Sequence, residues 1–142
     1  MAAPSQITAA PTYVPTGYTP VTINSGTGTS STLLVPGQPG QGYFITEIGY
    51  QVSYNATLAS AGTVQLTFTD STFGTVASFQ IFLPNAVSAP TQPWTLRQVS
   101  TPPIVWVSLV GNTNLSVAVN TALTGGNIRA FVRYGYCYGV GL

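Results

Sequence analysis

The chain holds no histidine and no lysine, one cysteine, and only three arginines and two carboxylates in 142 residues. Without histidine there is no imidazole base, no Ser–His or Cys–His pair and no histidine metal ligand. Cys137 alone can neither close an internal disulfide nor build a cysteine metal site. Three arginines neutralise few phosphates, so no nucleic-acid partner is expected. No apolar run reaches the length of about 18 residues that a spanning helix needs, so no membrane partner is expected either. The opening residues Met1-Ala2-Ala3-Pro4-Ser5-Gln6 lack a basic stretch followed by an apolar one, and no signal peptide is expected. These absences point away from an enzyme: no catalytic, metal or cofactor residues are expected.

Apolar residues make up 44% of the chain, with 15 glycines and 11 prolines, and most of the remainder is Thr, Ser, Asn and Gln. That balance suits one folded domain and is the reverse of a disordered chain, which is apolar-poor and charge-rich. Two textures divide it. Residues 1–31 contain Pro4, Pro11, Pro15 and Pro20, followed by the Gly/Thr/Ser run of residues 25–31. Each proline fixes its own φ and drives the preceding residue to an extended form, so an extended arm is expected in place of a helix. Ile7, Tyr13, Val14, Tyr18 and Val21 are interleaved with those prolines, which suits an arm lying against something, either a partner or its own domain.

From Thr32 to Leu142 the pattern has period two. Val64, Leu66 and Phe68 alternate with Gln65, Thr67 and Thr69; Leu115, Val117 and Val119 alternate with Ser116, Ala118 and Asn120. Ile128 to Tyr138 alternates likewise. Such alternation marks strands with one face on a core. Strands are expected near 32–35, 43–54, 63–69, 75–83, 94–99, 103–110, 114–120 and 127–138, separated by Gly-, Pro- and Asn-rich turns. No segment carries a sustained helical period. The expected fold is all-β, an antiparallel β-sandwich of jelly-roll type with an extended N-terminal arm.

Glu47 and Asp70 are the only carboxylates, and two carboxylates can run glycoside hydrolysis if they flank one sugar bond. Asp70 sits in a turn-like context, where Asp bonds its own backbone, and the structural reading is the stronger. Arg129 and Arg133 lie four apart on one expected strand, so both leave the same face with Phe131 between them. That face can recognise a partner, and either arginine can pair with Glu47. Tyr134, Tyr136 and Tyr138 share the other face, where core packing is favoured over sugar stacking. Trp106 lies in an apolar run and reads as core; Trp94, after Pro93, is the better candidate for an exposed contact. Glu47, Trp94, Arg129, Phe131 and Arg133 are therefore the candidate oligomer or partner interface.

A soluble monomer usually disperses itself with surface charge. This chain carries a net charge of +1 and expected outward positions of Thr, Ser, Gln and Asn, so copies repel one another little. Oligomerisation within a larger assembly is expected. The Pro-rich arm, the Thr/Ser/Gly/Val-rich β domain, and the ending Thr124-Gly125-Gly126-Asn127-Ile128-Arg129-Ala130-Phe131-Val132-Arg133-Tyr134-Gly135-Tyr136 resemble small structural proteins of tailed-bacteriophage virions, above all capsid decoration or cement proteins. The resemblance implies a homotrimer on the outer capsid surface, made in the host cytoplasm, that binds the major capsid protein and stabilises the lattice. It also implies that Ile7, Tyr13, Val14, Tyr18 and Val21 contact the capsid through the arm. The alternative is a carbohydrate- or receptor-binding β-sandwich of a phage tail or fibre, using Trp94 and the tyrosines. Many small viral coats are jelly rolls too, although an arm without basic residues argues against packaging RNA by charge.

Overall fold

A computed structural model of the chain describes residues 16–53, 62–83, 94–99, 105–123 and 126–138, with the backbone alone of 53, 62, 82, 83, 94–99 and 138. These residues form strands Gly17–Ile23 (β1), Thr32–Val35 (β2), Gln41–Ser53 (β3), Gly62–Asp70 (β4), Gly74–Leu83 (β5), Trp94–Val99 (β6), Trp106–Ser108 (β7), Leu115–Val119 (β8) and Asn127–Tyr138 (β9). The first sheet has the order β1-β9-β3-β6, with β7 also on β3; the second has the order β2-β8-β4-β5. All pairs are antiparallel. β7 lies opposite Tyr43–Ile45 and β6 opposite Glu47–Val52, so the two share one edge of β3 and act as one interrupted strand.

Counted that way, the pairs nest: β1 with β9, β2 with β8, β3 with β6/β7, and β4 with β5. Nesting of this kind results when one long antiparallel hairpin is rolled into two facing sheets, and it is the jelly-roll topology. The fold is therefore an all-β jelly-roll sandwich, as the period-two pattern predicts.

The core lies between the sheets. Val64, Leu66 and Phe68 of β4, Leu115, Val117 and Val119 of β8, and Ile128, Ala130 and Val132 of β9 are buried there, each on the face that the alternation predicts. β3 is less regular. Tyr43 and Ile45 face the core, and so do Ile48 and Val52, which a strict alternation places on the opposite side. A bulge reconciles them: Ile45 pairs with Tyr134 and Glu47 with Arg133, leaving Thr46 as the extra residue. The Thr46 hydroxyl donates to the Arg133 carbonyl at 3.3 Å, which ties the bulge to β9. Glu47 is thereby turned to the outer face of the sheet. The β4–β5 turn closes at Gly74, whose φ of +87° is open to glycine and strained for other residues.

Residues 17–23 correct one expectation. The sequence reading assigns them to the arm, whereas in the structure they are edge strand β1, paired with β9 from Gly17↔Tyr134 to Ile23↔Ile128. The backbone is extended, as the prolines predict, and of the two surfaces open to it this part lies on its own domain. Pro20 is tolerated because an edge strand leaves alternate N–H groups unpaired. Gly17 allows the Tyr134 ring to lie over the backbone: a Cβ there would stand 2.5 Å from the ring. Of the strand expected at 103–110, residues 103 and 104 lie outside the described residues, and within 105–110 the strand runs only over Trp106–Ser108, with Leu109 already exposed. Ile7, Tyr13 and Val14 lie outside the described residues.

Candidate functional site

The outer face of the first sheet is built by register. Across it, Tyr18 of β1, Arg133 of β9 and Glu47 of β3 stand side by side, because Tyr18 pairs with Arg133 and Arg133 with Glu47. The Arg133 Nε lies 3.7 Å from the Glu47 Oε2. On its other side the guanidinium carbon sits 5.2 Å from the centre of the Tyr18 ring. An exposed ion pair contributes about 0–1 kcal/mol, and an exposed cation–π contact about 0.5–1 kcal/mol. The ladder therefore orients the arginine more than it stabilises the fold. Arg133 is 47% exposed, so its outer side is open to a partner.

One rung further, Pro20, Phe131 and Gly49 form the next row, then Thr22, Arg129 and Gln51. Phe131 is only 7% exposed although it faces away from the core, and the Tyr18 ring lies 6.1 Å from it. Arg129 is exposed and makes no ion pair among the described residues. The result is a face with a half-exposed tyrosine, a covered phenylalanine, one arginine held by neighbours and one open. Four of the five charged residues, Glu47, Arg97, Arg129 and Arg133, stand on strands of this sheet.

The fifth, Asp70, is buried at the end of β4. Its Oδ2 accepts the Tyr43 hydroxyl at 2.5 Å, and its Oδ1 accepts Thr72 N at 2.7 Å, Phe73 N at 2.9 Å and the Thr113 hydroxyl at 2.9 Å. Burial first, then the Asp70 hydrogen bond and charge, pushes the Tyr43 phenol well above the ordinary tyrosine value. Asp70 thus joins the β4–β5 turn to β3 and to the loop before β8. Glu47 belongs to the outer face of one sheet and Asp70 to the interior at the end of the other, so the two do not flank a common cleft. The turn reading of Asp70 holds.

Of the candidate interface residues, the structure brings Glu47, Arg129, Phe131 and Arg133 onto one face and adds Tyr18 from β1. Val21 of β1 packs partly against the core. Trp94 begins β6 opposite Val52, and its side chain lies outside the described residues. Tyr134 and Tyr136 pack against the core, 5.7 Å apart and edge to face, and the Tyr136 hydroxyl donates to the Pro36 carbonyl at 2.8 Å. Cys137 is half-buried, and burial raises its thiol pKa.

Phe73 is a surface aromatic that no periodic pattern in the sequence marks. It is 54% exposed at the tip of the β4–β5 turn, with the Trp106 ring 6.3 Å away and edge to face. Its one signal is an aromatic inside the turn-like stretch Asp70-Ser71-Thr72-Phe73-Gly74. Comparison with protein-family models and with curated proteins finds no match for this chain.

Proposed function

We propose that the chain is a structural protein of a virion: a decoration or cement protein that binds the outer surface of a viral capsid and stabilises the lattice. The observation that carries this reading is the Tyr18–Arg133–Glu47 ladder with Arg129 beside it, on one face of an otherwise almost uncharged jelly roll. Tyrosine and arginine are the residues that anchor protein interfaces, and arginine matches carboxylates on a partner. Residues 1–15 precede β1, which edges this same face, so contacts from that segment and from the ladder add through avidity. The partner is the major capsid protein, engaged by several copies at once.

Co-sedimentation with purified capsids of the encoding virus tests the reading. The full chain pellets with capsids; the Arg129→Glu, Arg133→Glu double variant stays in the supernatant while its circular dichroism is unchanged. Equal pelleting of both proteins, or pelleting of neither, defeats the proposal. Truncation must stop at residue 15, since removal of residues 1–24 takes away β1.

A second reading, the carbohydrate- or receptor-binding module, is favoured by exposed Phe73 at the hairpin tip, with the Trp106 ring of β7 beside it. Glycan-array binding that disappears in Phe73→Ala supports it over the first.

A further inference from the structure

The two sheets have four edges, and three are blunted. β1 carries Pro20, which has no N–H to offer. β2 is four residues long. The β6/β7 edge is split into strands of six and three residues, with Arg97 in the longer. β5 is different. It runs for ten residues, Gly74–Leu83, with no proline and no charge, and beyond β4 it pairs with nothing among the described residues. Its one irregularity lies beside the turn, where Val76 is skipped between Thr75↔Thr69 and Ala77↔Phe68. From Ala77 to Leu83 the ladder is unbroken.

Among the described residues the core is also partly open along this edge, from Val76 to Phe79, while Ile81 beyond them is buried. Leu66 and Phe68 on neighbouring β4 are 0% exposed, whereas Val76, Ala77 and Phe79 of β5 pack on the core and remain partly exposed. The Phe79 ring has Tyr50 at 5.4 Å and Phe68 at 6.0 Å and is half-buried among the described residues. Ser78 and Gln80, which alternate with these residues, are exposed and neutral. A strand laid on this edge would take up the unpaired backbone groups and cover the half-buried apolar row together.

We propose that two copies of the chain pair antiparallel through the free edge of β5, joining their second sheets into one. A second copy fits better than a charged partner. The second sheet holds no charged residue except buried Asp70, so two copies meet without repulsion, and Phe79 of each meets the same apolar row of the other. The junction is isologous, so it closes on a twofold axis and leaves no further β5 edge free. It sets a dimer where the resemblance implies a trimer, and it leaves the charged face of the first sheet available. It stands independently of the capsid reading.

Light scattering on the full chain, with no other component, tests it. The molar mass is expected to be twice 14.8 kDa. The Ser78→Lys, Gln80→Lys double variant places like charges across the junction and is expected to halve that mass with no change in circular dichroism. The control, Ser116→Lys with Ala118→Lys on central strand β8, adds the same charge away from the edge and is expected to keep the dimer mass. A monomeric or trimeric parent protein overturns the proposal. So does a β5 variant that stays dimeric, or a control that dissociates to the same extent.

Discussion

Asp70 accepts four hydrogen bonds in a buried setting, and each comes from a different residue: Tyr43, Thr72, Phe73 and Thr113. Asp70→Ala strands those donors, and each unsatisfied buried group costs about 1–3 kcal/mol, partly relieved by water at the turn. The expected loss is about 2–4 kcal/mol, read from urea unfolding with unchanged m-value. Tyr43 makes the other half of that bond titratable. Its phenol pKa is raised in the folded state, so folding holds the proton more tightly than the unfolded chain does. The stabilisation is whole below the ordinary tyrosine value of about 10 and falls as pH rises above it. Burial raises Tyr50 and Tyr136 in the same direction. Urea midpoints are therefore expected to drop above about pH 10, and Tyr43→Phe is expected to make that decline shallower while lowering the midpoint at neutral pH. An equal decline in both proteins removes Tyr43 from the account.

At the scale of strands, β3 holds the first sheet together, with β9 on one side and β6 and β7 on the other. Its Gly42 lies against the backbone of the segment that leaves β7: a Cβ there would stand 2.0 Å from the Ser108 carbonyl oxygen. Backbone cannot give way as a side-chain tip does, so Gly42→Ala is expected to displace β7 at a cost of about 1–3 kcal/mol, measured by thermal unfolding. A melting temperature equal to the parent's contradicts that contact. The strands differ in how openly the sequence declares them. β4, β8 and β9 alternate without interruption, so their faces can be assigned from residue order alone. β3 changes phase at Thr46, and only the register with β9 shows it. β1 reads as an arm because Pro20 and the neighbouring prolines hide an edge strand, the one kind of strand that accepts proline. The candidate site divides in the same way. That Arg129, Phe131 and Arg133 share a face follows from period two. That Tyr18 and Glu47 flank Arg133 depends on pairings between distant parts of the chain, which no local pattern encodes.

For the whole molecule, what matters is where the few charges lie. Arg129, Arg133 and Glu47 mark the outer face of the first sheet, and the second sheet turns Thr, Ser and Gln outward. One side is thereby suited to a partner of different composition and the other to a copy of itself. Hydroxyl-radical footprinting of the free chain and of the chain bound to capsids tests this division most directly. Tyr18 and Phe73 are both exposed aromatics, 46% and 54%, on different parts of the surface, so both are oxidised in the free chain. The account predicts that capsid binding suppresses oxidation of Tyr18 and leaves Phe73 as reactive as before. Protection of Phe73 with Tyr18 unchanged would contradict it.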